Sequence, residues 1–180
     1  MYSRPQIKQV LLKPILISAI ILAGHLASTA QELSAKPILQ NVEWSADGDS
    51  MMTETGNIRT FNLFENVIVT QGTLKIVGDN AILEQDKLTR ELIRVTVHGT
   101  PVSYQQQLDP DGSTVNGTSD SILLFTEDAT GETVVELAGN AHIVSPDTTM
   151  DCVAIVYLPN PDLIRKATGP CTGLLSQVEE

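Results

Sequence analysis

From Val42 to Ala167 the apolar residues fall in short runs that alternate with polar ones, and turn-forming residues break them about every 8–12 positions. The stretch from Phe64 to Glu84 is the fullest example. Three apolar, β-branched runs are separated by Gln71-Gly72-Thr73 and by Gly78-Asp79-Asn80, and Leu74 and Ile76 flank Lys75 with a period of two. β-Branched residues suit a pleated, half-buried surface, and Gly and Asn supply turn conformations, so the pattern predicts three strands joined by two tight turns. Val42 and Trp44 alternate around Glu43, and Met51 to Thr53 reads as a short strand. Further strands are expected at Ile58 to Glu65, Leu92 to His98, Val102 to Leu108, Ser121 to Phe125, Thr133 to Leu137, Ala141 to Val144, Met150 to Leu158 and Leu163 to Ala167. Gly99 to Pro101, Asp109 to Gly112, Asn116-Gly117 and Ala138 to Asn140 punctuate them. Gly169 to Glu180 reads as a frayed, flexible tail. No window sustains a helical apolar period, so the chain is expected to be all-β, with many short antiparallel strands in a sandwich, jelly roll or open barrel.

A faint echo recurs at an offset of 74, where Asn66 to Val69 falls on Asn140 to Ile143, Ile76 on Met150 and Ile82 on Val156. It repeats the pattern more than the residues, and it suggests one sheet of similar stacked units.

The N-terminus has a different character. Arg4, Lys8 and Lys13 precede an apolar run from Ile15 to Ala27, and Ser28 and Ala30 provide the small residues of a cleavage site before Gln31. This is the three-part pattern of a secretory signal peptide over residues 1–30, and the run is shorter than the roughly 20 residues of a spanning helix. An anchor retained in the membrane is the competing reading. Residues 31–168 then form the expected domain, and residues 169–180 its tail. Removal of the signal takes away three of the 11 basic residues and none of the 22 acidic ones, leaving a net charge of −14. Such a surface repels nucleic acid and anionic membranes. With 42% apolar residues in periodic order, the charge does not mean disorder.

Chemistry is sparse. His98 and His142 fall in strands, with no Cys or carboxylate at metal-ligand spacing, so they are expected at the surface, and neither a metal nor a cofactor is implied. No nucleophile motif or phosphate loop occurs, so no catalytic residues and no enzymatic activity are expected. Export would place Cys152 and Cys171 in an oxidising compartment, where they either pair or remain as two thiols, since spacing does not set geometry. The inner rows of Val, Ile and Leu either close into an ordinary core or splay into a groove for acyl chains.

Glu65 to Asp79, with Asn66 to Thr73, Lys75, Ile76 and Asp79 in place, resembles the signature of the LptA/OstA family of periplasmic lipopolysaccharide-transport proteins. Gly99 to Pro101, Tyr104, Asn116-Gly117 and Gly139 to Ala141 extend the resemblance, which covers Val42 to about Ala167. Glu65 departs from it, standing where the family usually has Gly. The resemblance implies a twisted, open β-jellyroll whose apolar interior holds the lipid A part of lipopolysaccharide. It implies head-to-tail self-association, an LptC-like inner-membrane partner at the N-terminal edge and an LptD-like outer-membrane partner at the C-terminal edge. Carried over by position, Val42, Trp44, Tyr104, Ile122 and Leu124 are expected to line the lipid site. Leu74, Ile76 and Ile82 join them by alternation along the signature stretch. The rival readings are a membrane-anchored LptC-like component and, in another class, a secreted β-fold enzyme or adhesin acting on polysaccharide. One Trp and three Tyr are few for a sugar-stacking surface.

Overall fold

The computed structural model describes residues 41–108 and 112–176. The expected signal peptide, the leader up to Gln40 and most of the Asp109 to Gly112 turn lie outside the described residues. Ten strands follow one another: β1 Val42–Ser45, β2 Ser50–Thr55, β3 Ile58–Gln71, β4 Leu74–Asp86, β5 Leu92–Gln107, β6 Thr114–Thr126, β7 Thr133–Val144, β8 Thr148–Leu158, β9 Leu163–Thr168 and β10 Thr172–Leu175. All pairings are antiparallel, in the order β1-β3-β4-β5-β6-β7-β8-β10, with β2 beside β3 and β9 beside β8.

The strands are longer than the runs that announced them. Gly78 to Asn80 is no turn, because β4 continues through it, and β5, β6 and β7 likewise run through Gly99 to Pro101, Asn116-Gly117 and Ala138 to Asn140. These residues are irregularities inside strands. The ladder slips between Phe64 and Val67, Val77 and Asn80, His98 and Val102, Thr118 and Ser121, and Ala138 and Ala141. These five slips, at one level of neighbouring strands, make a line across the sheet. A β-bulge bends and twists its strand, so a row of them is a crease. The sheet turns its apolar face onto itself there, and the two halves share one core. One half holds β1, β10 and residues such as Val69, Ile76 and Tyr104. The other holds β2, β9 and residues such as Leu63, Ile122 and Ile155.

The crease explains the echo at offset 74. Glu65 and Asn66 have φ of 64° and 48°, and Gly139 and Asn140 have 76° and 49°, so the same left-handed pair recurs in β3 and β7. Each Asn side chain donates to a neighbouring carboxylate: Asn66 Nδ2 to Asp47 Oδ2 at 2.9 Å, and Asn140 Nδ2 to Asp120 Oδ2 at 3.0 Å. Asn tolerates the left-handed region better than most residues, and Gly enters it freely. In β4 the backbones come close, and a Cβ on Gly78 would lie 2.5 Å from Val97 Cγ1 and 2.8 Å from His98 O.

The C-terminus corrects an expectation. Residues 169–180 were expected to be a flexible tail, but Thr172–Leu175 pairs with Thr148–Asp151 of β8. Cys171 is joined to Cys152 by a disulfide across a sequence separation of 19, with Cα atoms 4.3 Å apart. A crosslink closing a loop of that size stabilises by about 3 kcal/mol, largely by restricting the unfolded chain. Nothing in the local composition of Gly169 to Glu180 signals a strand, since the constraint comes from a partner on β8.

Two substitutions test the crease. Glu65→Gly relieves a left-handed non-glycine residue and is expected to raise the unfolding free energy by about 1 kcal/mol in urea titrations. Gly139→Ala adds a Cβ against the Asp120 side chain at a φ of 76° and is expected to lower it by about 2 kcal/mol or more.

Candidate lipid-binding interior

The inward side of the folded sheet is built by alternation, reset at the crease. On β4, Leu74, Ile76 and Gly78 face inward, Asp79 and Asn80 are both exposed, and Ala81 and Leu83 face inward again. The reset overturns one expectation: Ile82 is 38% exposed and lies on the outer side. Counting in twos from Ile76 led to Ile82, but the irregular pair at Asp79-Asn80 shifts the count by one.

Five of the other expected residues meet on the inner side. Ile76 and Ile122 are fully buried, and Leu74, Tyr104 and Leu124 nearly so. Val42 and Trp44 lie at the edge, paired with Gln71 and Val69 of β3. Val42 packs against the core, while Trp44 is 43% exposed and its ring lies 6.4 Å from that of Phe61. Trp44 belongs to the β1 half and Phe61 to the β2 half, so their contact closes the gap between the halves at the N-terminal edge. Tyr104 and Tyr157 do the same further along, edge to face at 6.3 Å. Sequence reasoning missed Tyr157, Leu63, Val67, Val97 and Leu137, all buried. The signal for them was present in the alternation of each half-strand, provided the count restarts at each Gly or Asn of the crease.

Among the described residues the interior carries no charge. Among the described residues the one buried polar residue is Ser119, whose hydroxyl donates to Ser121 O at 2.8 Å. No buried side-chain polar atom lacks a partner among them. An unpaired ionic or strongly polar ligand group would have nothing to bond inside, whereas an alkyl chain meets only its own kind. Charges sit outside. Glu54 accepts from Lys87 and Arg59, which hold its carboxyl below the usual range in that order, and Arg165 does the same for Glu127. His142 pairs with Asp151 at 2.7 Å on the outer side of β7 and β8. Among the described residues no three His, Cys, Asp or Glu side chains gather as a metal site.

Among the described residues, two tyrosines bring ionisable groups inward. Tyr104 Oη donates to Gln106 Oε1 at 2.5 Å, and Tyr157 Oη to Asp162 Oδ1 at 2.6 Å. Burial pushes both phenols up, above the ordinary value of 10.0. The charge of Asp162 adds to the shift of Tyr104, and the bond to Asp162 adds to that of Tyr157.

Among the described residues, an antiparallel sheet creased onto an uncharged interior and open at both ends defines an open β-jellyroll. Residues 50–160, more than half the chain, match the family described as LptA/(LptD N-terminal domain) LPS transport protein, and this protein belongs to it. That family is one of transport proteins, not of enzymes. The lipopolysaccharide export system protein LptH of Pseudomonas aeruginosa is 29% identical over 106 residues, a stretch that spans 58% of either chain. The crystal structure of LptH, described as the LptA-homologous periplasmic component of a lipopolysaccharide transport device, superposes with a TM-score of 0.62. The superposition covers 77% of this chain and 96% of that one, at 23% identity, and shows a shared fold.

The phenols give a pH test. Their raised values mean that the folded chain keeps protons which the unfolded chain releases. This stabilisation is complete below about pH 10 and is lost as pH rises beyond it. Unfolding free energy is expected to fall steeply above pH 10, and less steeply in a Tyr104→Phe/Tyr157→Phe variant. Equal slopes in alkaline denaturation curves would contradict the assignment.

Proposed function

We propose that this protein is a periplasmic carrier that holds lipopolysaccharide by its acyl chains and passes it from the inner toward the outer membrane. The observation that carries the reading is the uncharged inner side shared by both halves of the sheet. Family membership supports the pathway, and the secretory pattern of residues 1–30 supports the compartment. LptH, described as periplasmic, supports it as well.

In this reading Trp44 and Val42 form the entrance. Ile76 and Ile122 are sealed in the closed interior, so acyl chains enter by parting the two halves at the edge where Trp44 meets Phe61. Leu74, Ile76, Tyr104, Ile122 and Leu124 then line the path. Each buried CH₂ contributes about 0.8 kcal/mol, so a few chains repay the separation of the halves. The headgroup stays in solvent. Its phosphates face a chain whose net charge is −14 without residues 1–30 (8 − 22), so attraction between charges does not drive binding. The free edges, β1 with β2 at one end and β9 with β10 at the other, suit head-to-tail pairing by strand addition. An LptC-like protein docks at the first edge and an LptD-like protein at the second.

Two measurements test the carrier. A photo-crosslinking residue at position 44 is expected to label lipopolysaccharide, and one at position 82, on the outer side, is not. Equal labelling at the two positions, or none at 44, refutes the placement. Lipopolysaccharide affinity is expected to stay level or rise slightly as salt increases, because screening weakens like-charge repulsion. A steep loss of affinity would point to ionic capture and sink the reading.

A further inference from the structure

Along its C-terminal edge the ladder of the sheet has a gap. β9 pairs with β8 between Ala154 and Leu158, β10 pairs with it between Thr148 and Asp151, and the two ladders leave out Cys152 and Val153. The disulfide from Cys152 to Cys171 lies in this gap. Its two sulfurs are not equivalent. Cys152 is 7% exposed and belongs to the core, opposite Ala141 of β7, whereas Cys171 is exposed. A hollow of about 630 Å³ opens against the bond, lined by Asn140 of the crease, Cys152 and Val153 of β8, and Pro170 and Thr172 of the terminal segment.

The strands on either side of the gap depend on the bond to different degrees. All four residues of β10 are exposed, Leu174 at 66% and Leu175 at 75%. Backbone bonds hold it, through the ladder to β8 and the Ser176 N–H donated to Asp147 O at 2.8 Å. A four-residue ladder that buries no side chain does not offset the entropy of ordering the segment, so the crosslink keeps it beside β8. β9 is longer, with six residues. Its Ile164 packs against the core, and its Arg165 pairs with Glu127 at 3.1 Å. Opening the bond therefore releases β10 and leaves β9 in place.

We propose that the Cys152–Cys171 bond is a redox latch, opened by a donor thiolate that enters the hollow and attacks Cys171, and that the latch sets whether Thr172 to Leu175 is strand or free chain. The latch does not depend on what the interior carries. In the first step the donor sulfur bonds to Cys171 Sγ, the Cys152–Cys171 bond breaks, and Cys152 Sγ leaves with the electron pair and takes up a proton. In the second step another donor thiolate attacks the donor sulfur of the mixed disulfide and releases Cys171 as a thiolate, which takes up a proton. Two donor thiols become one disulfide, and the chain gains two electrons and two protons. A donor disulfide closes the latch by the reverse steps. Attack on Cys152 requires the donor to pass into the core, so exposure selects Cys171. With the latch open, the Thr148 to Asp151 edge of β8 is uncovered.

The test uses the native oxidised chain and two donors, 2-mercaptoethanol and a thioredoxin reduced to a single active-site cysteine. After brief exposure the freed thiol is alkylated, and peptide mass spectrometry locates the mixed disulfide. It is expected on Cys171 about tenfold or more over Cys152. An adduct from mercaptoethanol alone identifies a small thiol as the donor, and a trapped thioredoxin complex identifies a protein thiol. Adducts shared equally, found chiefly on Cys152 or absent with both donors overturn the proposal. Amide exchange then follows the chain in excess dithiothreitol. Protection is expected to fall about tenfold or more at Thr172 to Leu175, to hold at Leu163 to Thr168, and to return on reoxidation. Protection retained at Thr172 to Leu175, or lost equally from Leu163 to Thr168, means that the bond is no latch for β10.

Discussion

The structure depends on a geometric constraint. A sheet that is apolar on one side must cover that side, and here no second sheet or helix among the described residues does so. The sheet covers itself. For that, neighbouring strands must bend at the same level, which the five aligned slips from β3 to β8 provide. Asn66 and Asn140, in left-handed conformation and bonded to Asp47 and Asp120, make two of the bends, and Gly78 lets the backbones approach at a third. Everything placed inside follows from where the strands turn over.

The same crease breaks the edge strands, because a strand at either end of the sheet cannot cross the bend unaided. Each edge therefore has a tie. One is a set of hydrogen bonds to the β3 bend, and the other is a disulfide to β8. Most sheet proteins blunt their edges to avoid unwanted pairing. In this protein both ends remain strand-like, carry exposed apolar residues and differ in the sign of their charge. In the proposed function the apolar interior serves lipid and the strand edges serve assembly.

The acidity of the chain fits this division. Among the described residues the interior admits no acidic side chain, so their charge lies on the outer side and in the turns. Surface ion pairs such as Glu54 with Lys87 and Arg59 contribute little to stability. The buried rows hold the fold, and in the proposed function they are also the rows a lipid would touch.

Much was legible in the residues alone. Alternation and turn chemistry specify an all-β chain, because a period of two has one structural meaning. The Asn66 to Asp79 signature pointed to the family. Tyr104 and Ile122 were expected on the inner side by matching positions, and both are buried there. The tertiary structure decided the rest. It showed that Gly78 to Asn80 and Ala138 to Asn140 bend strands without ending them, a distinction that depends on whether a neighbouring strand stays paired across the break. It put Ile82 outside, because a single extra residue reverses the side of every later one. It turned the expected tail into β10, since a strand of four exposed residues exists only where a distant cysteine holds it.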